Sequence, residues 1–186
     1  MNYLVHDATG AVHLAAAVVA LVTGTWILFT PKGTERHRKI GYVYFGAMLT
    51  LNLTAFLIYR LFGGFGVFHV AAMLSLVTVV AGIIPAVRRT SKSWLMAHLA
   101  WMYWSVMGLY AAFVSEVLTR VPDTPFFGMV GYATGGIMLI GGYFYYTRRD
   151  HWAEKAFARY RPEAETGTGT GSESSAEAGR GANAES

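Results

Sequence analysis

The chain has no cysteine, which removes disulfides, thiolate metal sites, iron–sulfur clusters and thiol catalysis together. Charge is scarce as well: 14% of the 186 residues are Asp, Glu, Lys or Arg, against about a quarter in soluble domains. Proline hardly enters the long apolar runs. Pro85, at the end of the third run, is the only one inside the first four, so the broken helices of many solute carriers are not expected. No phosphate loop, nucleophile elbow or HExxH motif is present. Residues 1–9 lack a basic stretch and contain Asp7, so no cleavable signal peptide is expected.

What is abundant is apolar length. Hydrophobic residues make up 54% of the chain, mean hydropathy is +0.36, and the apolar residues come in runs of roughly 20, enough to cross the hydrocarbon of a bilayer. The expected fold is all-α: an integral membrane bundle of four histidine-bearing transmembrane helices plus a fifth, glycine-rich one. The spans run from about Gly10 to Phe29, Ile40 to Leu61, Val67 to Val87, Trp94 to Leu118 and Phe126 to Tyr146. Pro31 stops the first and a Gly63-Gly64 turn follows the second. Thr90-Ser91-Lys92-Ser93 offers an N-cap for the fourth. Residues 1–147 form the bundle, 148–162 a basic amphipathic stretch, and 163–186 a Gly/Ser/Thr/Ala/Glu-rich acidic tail with no hydrophobic period, expected to be disordered.

Lys32 through Lys39 is the densest basic cluster of the apolar part, with four Lys/Arg in eight residues. On its side of the membrane fall Lys32, Arg36, Arg38, Lys39, Arg88, Arg89, Lys92, Arg148, Arg149, Lys155, Arg159 and Arg161, twelve in all, while Arg60 and Arg120 fall on the other. That bias predicts a cell-membrane protein with its N-terminus outside and its C-terminus in the cytoplasm, and it reads as orientation rather than nucleic-acid binding. In the fifth span Gly128, Gly131, Gly135 and Gly142 share one face and include a GxxxG pair. Such a face packs closely on the first four helices or on a second copy of the chain.

The chemistry lies in the histidines. His6 and His151 are outside the spans. His13, His37, His69 and His98 fall one per helix on four consecutive helices, in two layers. His13 and His69 sit near the outer ends of their spans, and His37 and His98 near the inner ends. At about 1.5 Å per residue the layers are roughly 20 Å apart. Glu116 follows His98 by 18 residues, five full turns, so His98, Met102, Ser105, Leu109, Ala112 and Glu116 form one stripe that should face the bundle. Asn52 is a further polar residue at mid-span. Gly10 and Gly66 each stand three residues before a histidine and could make room for something bulky.

Three readings follow. In the first, the pairs His13/His69 and His37/His98 each ligate a b-type haem, one near each surface, and electrons cross the membrane to an unidentified redox partner. The pattern is similar to that of small transmembrane dihaem cytochromes b. In the second, His13, His69 and Glu116 form a two-histidine, one-carboxylate site for zinc, iron or copper, with Met73 and Met102 as further donors to copper. In the third, the histidines only make interhelical hydrogen bonds.

Residues 10–120 also resemble the membrane-protein family known as domain of unknown function 2306. The likeness rests on Gly10 to His13, on Lys32-Gly33-Thr34 through His37-Arg38 and Gly41-Tyr42, and on Phe65-Gly66 with His69. His98 through Met102, Trp104-Ser105, Gly108-Leu109 and Glu116 to Arg120 extend it. The resemblance implies a multi-pass membrane protein with histidines at these positions, and no particular activity. The fifth helix and the tail lie outside it.

Overall fold

The computed structural model describes residues 8–58, 63–89, 93–121 and 125–166, the last seven by backbone alone. These form five helices: α1 Ala8–Phe29, α2 Glu35–Ala55, α3 Val67–Arg88, α4 Trp94–Leu118 and α5 Phe126–Thr166. The residues before Ala8, Arg60, most of the Thr90–Ser93 loop, the Pro122–Thr124 turn and the acidic tail from 167 on lie outside the described residues.

The ends of the helices follow local chemistry. Pro31 cannot continue α1. Lys32 folds back so that Nζ donates to the carbonyls of Ile27 (2.7 Å), Leu28 (2.9 Å) and Thr30 (3.2 Å), three acceptors that the helix end leaves open. Thr34 then N-caps α2, its Oγ1 accepting from the His37 backbone N–H at 3.1 Å. The cap starts α2 at Glu35, ahead of the apolar run at Ile40, and brings His37 onto the first turn. α3 ends at Arg89, which takes the left-handed conformation (φ 48°) and donates its N–H to Pro85 O at 3.0 Å.

α1 packs against α2 and α4, and α3 packs against the same two helices. The pairs α1/α3 and α2/α4 therefore face each other across the diagonals of a four-helix bundle. Its core joins Ala20 and Ile27 of α1, Tyr44 and Met48 of α2, Val79 of α3, and Met102, Val106 and Leu109 of α4. One diagonal carries a hydrogen bond at its centre, Tyr44 Oη to Ser105 Oγ at 2.9 Å, with both side chains fully buried. Gly24 admits the Tyr44 ring; a Cβ there would stand 2.9 Å from Tyr44 Cε2.

α5 lies on the outer flank of α4. Tyr103 donates to Gly141 O at 2.7 Å, and Met107 presses on Gly141. Tyr103, Trp104, Tyr145 and Trp152 form a ring cluster between the two helices. The fifth helix was expected to end near Tyr146. It continues through Arg148-Arg149 to Thr166, because nothing from Thr147 to Arg161 is a helix breaker and Pro162 stands only among its last five residues. At 41 residues it is about 60 Å long. The glycine face also divides differently from expectation. Gly142 meets Trp104, but nothing lies within 4 Å of a Cβ built on Gly131 or Gly135.

Among the described residues, three helices are long and apolar enough to cross a membrane: α1, α3 and residues 126–159 of α5, with only 22%, 17% and 11% of each window buried. Their apolar side chains point outward, the reverse of a soluble core. α2 and α4 fall below that hydropathy. The first turn of α2 carries Glu35, Arg36, Arg38 and Lys39, and α4 is rich in Trp, Tyr and Ser with His98 and Glu116.

Candidate functional site

The inner histidines meet. His37, on the first turn of α2, and His98, in the second turn of α4, face each other across the diagonal with ring centroids 6.4 Å apart and planes at 87°. The His98 Nδ1 lies 2.7 Å from Gly82 O of α3. A carbonyl only accepts, so Nδ1 carries the proton and Nε2 keeps its lone pair. Gly82 makes this bond possible: a Cβ there would stand 2.6 Å from Met102 Sδ and 3.2 Å from the Met102 backbone N. The His37 Nδ1 is buried and has no hydrogen-bond partner among the described residues.

The outer histidines do not form an equivalent pair. The His13 Nδ1 lies 3.0 Å from Thr54 Oγ1. The Thr54 hydroxyl proton goes to Thr50 O at 2.7 Å, so His13 is the donor in that bond. His69 is in the opposite state. Its Nδ1 accepts the Gly66 backbone N–H at 3.0 Å, closing the N-terminus of α3. Neutral His69 thus carries its proton on Nε2. Phe65 stacks on the ring, with centroids 4.9 Å apart. Gly66 is the cap of α3 rather than a gap left for a cofactor.

Glu116 lies close enough to His13 for its charge to act on that imidazole, but its ion-pair partner lies just past the end of its own helix. It pairs with Arg120 at 2.5 Å, and both side chains are half-exposed. The described residues contain no group of three or more His, Cys, Asp or Glu placed to hold a metal ion. The stripe running from His98 holds through Met102, Ser105 and Leu109, then gives way. Ala111 and Ser115 are buried in place of Ala112 and Glu116. The cause is α5, which covers that flank of α4 and brings Thr134 to 3.5 Å from Ser115. Asn52 is buried but satisfied within its own helix, donating to Met48 O at 2.8 Å.

Sequence reasoning missed four partners. The Arg120 spacing of four from Glu116 was a visible ion-pair signal. Thr54, Gly82 and the Tyr44–Ser105 pair are contacts between helices, which a single sequence does not register.

A helical bundle with apolar outer faces and buried imidazoles defines an integral membrane protein. The chain belongs to the family described as predicted membrane protein DUF2306, whose profile matches residues 10–144 and so takes in most of the membrane part of α5 as well as the four-helix bundle. No curated protein and no solved structure matches the chain.

Proposed function

We propose that this protein is a transmembrane electron-transfer protein in which His37 and His98 hold a b-type haem near one membrane face. The observation that carries the reading is the geometry of that pair. Two imidazoles that would hold one group between them must face each other from different elements without bonding to each other. His37 and His98 stand at 6.4 Å, on opposite helices of the bundle, with no hydrogen bond between them. The donor set suits the group. His98 is held in the ligating tautomer by a backbone carbonyl, the usual support for a metal-bound histidine, and the His37 Nδ1 is an orphaned buried polar atom. A bound haem would supply one-electron transfer. The chain's own part is to orient His98 through Gly82 and to bring His37 to the pair through the Thr34 cap.

The outer layer supports a second haem less well. His13 is held by Thr54, and His69 would have to release the Gly66 N–H to ligate. The His13/His69/Glu116 metal site is less favoured: Glu116 pairs with Arg120, and the described residues hold no group of three or more His, Cys, Asp or Glu placed for a metal ion.

Five crossings, with the N-terminus outside and the C-terminus cytoplasmic, are the topology this reading uses. It is supported by the twelve-to-two charge split. A second copy of the chain seated on the open Gly131/Gly135 face is the partner that α5 suits.

A reduced-minus-oxidised absorption spectrum of the detergent-purified protein tests the function. A haem b band is expected, lost on His37→Ala or His98→Ala and kept on His69→Ala. Colourless protein from haem-replete cells overturns the reading.

A further inference from the structure

The outward face of α1 carries two clefts that share Trp26. One, of about 400 Å³, is lined by Leu21, Val22, Thr25 and Trp26. The next, of about 570 Å³, runs from Trp26 past Phe29 and Pro31 to Arg36 at the start of α2. Together they form a groove along the helix, about 12 Å from Leu21 to Phe29. Its walls are left uncovered by the rest of the chain: Val22, Trp26 and Phe29 are 57%, 49% and 84% exposed.

One end of the groove is apolar and the other is cationic. The Arg36 guanidinium lies 4.9 Å over the Trp26 ring, which fixes the charge at the groove's rim. Arg36 has no carboxylate within ion-pair distance among the described residues, whereas its neighbour Lys39 is neutralised by Glu35 at 2.8 Å. The rim stands at the end of an apolar helix, beside a tryptophan, where headgroups meet hydrocarbon.

We infer that this groove is a binding site for an anionic phospholipid, with an acyl chain along Leu21–Phe29 and the phosphate on Arg36. The charge pattern selects the occupant. A lipid presents a long apolar body along a membrane helix and an anion at its end. A zwitterionic lipid would bring a second cation next to Arg36, while an anionic one leaves the Arg36 charge matched. The site is separate from the histidine pair and does not rest on the haem reading.

The test uses the full chain in mild detergent, titrated with phosphatidylglycerol or phosphatidylcholine of identical acyl chains bearing a mid-chain spin label. The readout is quenching of Trp26, obtained by difference against Trp26→Phe. Phosphatidylglycerol should bind roughly fivefold tighter, the worth of one interfacial cation. Arg36→Gln should bring the two lipids to equal affinity, and Lys39→Gln should leave the preference intact. Added salt should shrink the preference. Equal affinity in the unmodified protein, or a preference that survives Arg36→Gln, overturns the proposal. Because Arg36 is exposed, that variant is expected to keep its helical circular dichroism, and quenching by phosphatidylcholine in the same variant checks that the groove is intact.

Discussion

Two glycine-to-alanine substitutions should part company. Each gains about 1 kcal/mol of intrinsic helix propensity, because each sits inside a helix. At Gly46 nothing lies within 4 Å of the new Cβ, so Gly46→Ala should keep most of that gain. At Gly82 the new Cβ meets Met102 Sδ at 2.6 Å and the Met102 backbone N at 3.2 Å. The thioether can swing aside, but the backbone cannot without separating α3 from α4. Overpacking of this kind costs about 1–3 kcal/mol. Separation also stretches the 2.7 Å bond from His98 Nδ1 to Gly82 O, worth about 1 kcal/mol more. After the propensity gain, Gly82→Ala should be less stable than the unmodified protein by about 1–3 kcal/mol. For a chain of this size the two variants should differ by a melting-temperature gap on the order of 10 °C. Tryptophan fluorescence during thermal unfolding in mild detergent measures it. Equal shifts for the two variants, or a stabilised Gly82→Ala, would refute the close α3–α4 approach and the role given to the His98 anchor.

A double-mutant cycle on Tyr44→Phe and Ser105→Ala should return a coupling of about 0.6 kcal/mol and at most about 1.7, the range for hydrogen bonds between membrane helices; strictly additive losses would show that the bond is not made. Lys32 gives a pH signature. Burial in the loop brings its ammonium down from 10.5 to about 8. Between those values the unfolded chain holds the proton and the native chain does not, so this residue should make stability rise with pH across that window. The unfolding midpoint of the unmodified protein, measured against Lys32→Met from pH 7 to 10, should show the rise, and parallel curves would contradict it. A reporter fused after residue 166 and active only in the cytoplasm should be on; activity of an outside-only reporter at that position would reverse the orientation.

Helix identity was legible because apolar runs in this chain are long and separated by charge or by Gly and Pro. The start of α3 at Val67 and both ends of α4 coincide with expectation. Where the ends moved, a cap outweighed hydropathy. Thr34 starts α2 five residues before its apolar run, and the absence of a breaker between Arg149 and Pro162 carries α5 onward. That His37 and His98 fall at one level was legible by counting residues along the helices, and their rings stand 6.4 Å apart. Rotation was not legible. The angle at which Glu116 projects depends on which flank of α4 the fifth helix covers, and a one-helix stripe contains no such information. The tautomers of His13, His69 and His98 depend on Thr54, Gly66 and Gly82, and only the second of these is a neighbour in sequence.

The Arg159 side chain donates to the carbonyl of Lys32 at 2.8 Å, across 127 residues of chain. For biogenesis this contact is a late step. The first hairpin leaves the ribosome early, and its loop waits without that donor while three further helices are translated. Only after Arg159 has been synthesised can the loop that carries the basic cluster and leads into His37 acquire its final donor. A nascent chain that stalls inside the fifth helix before Arg159 therefore keeps a first hairpin without that donor.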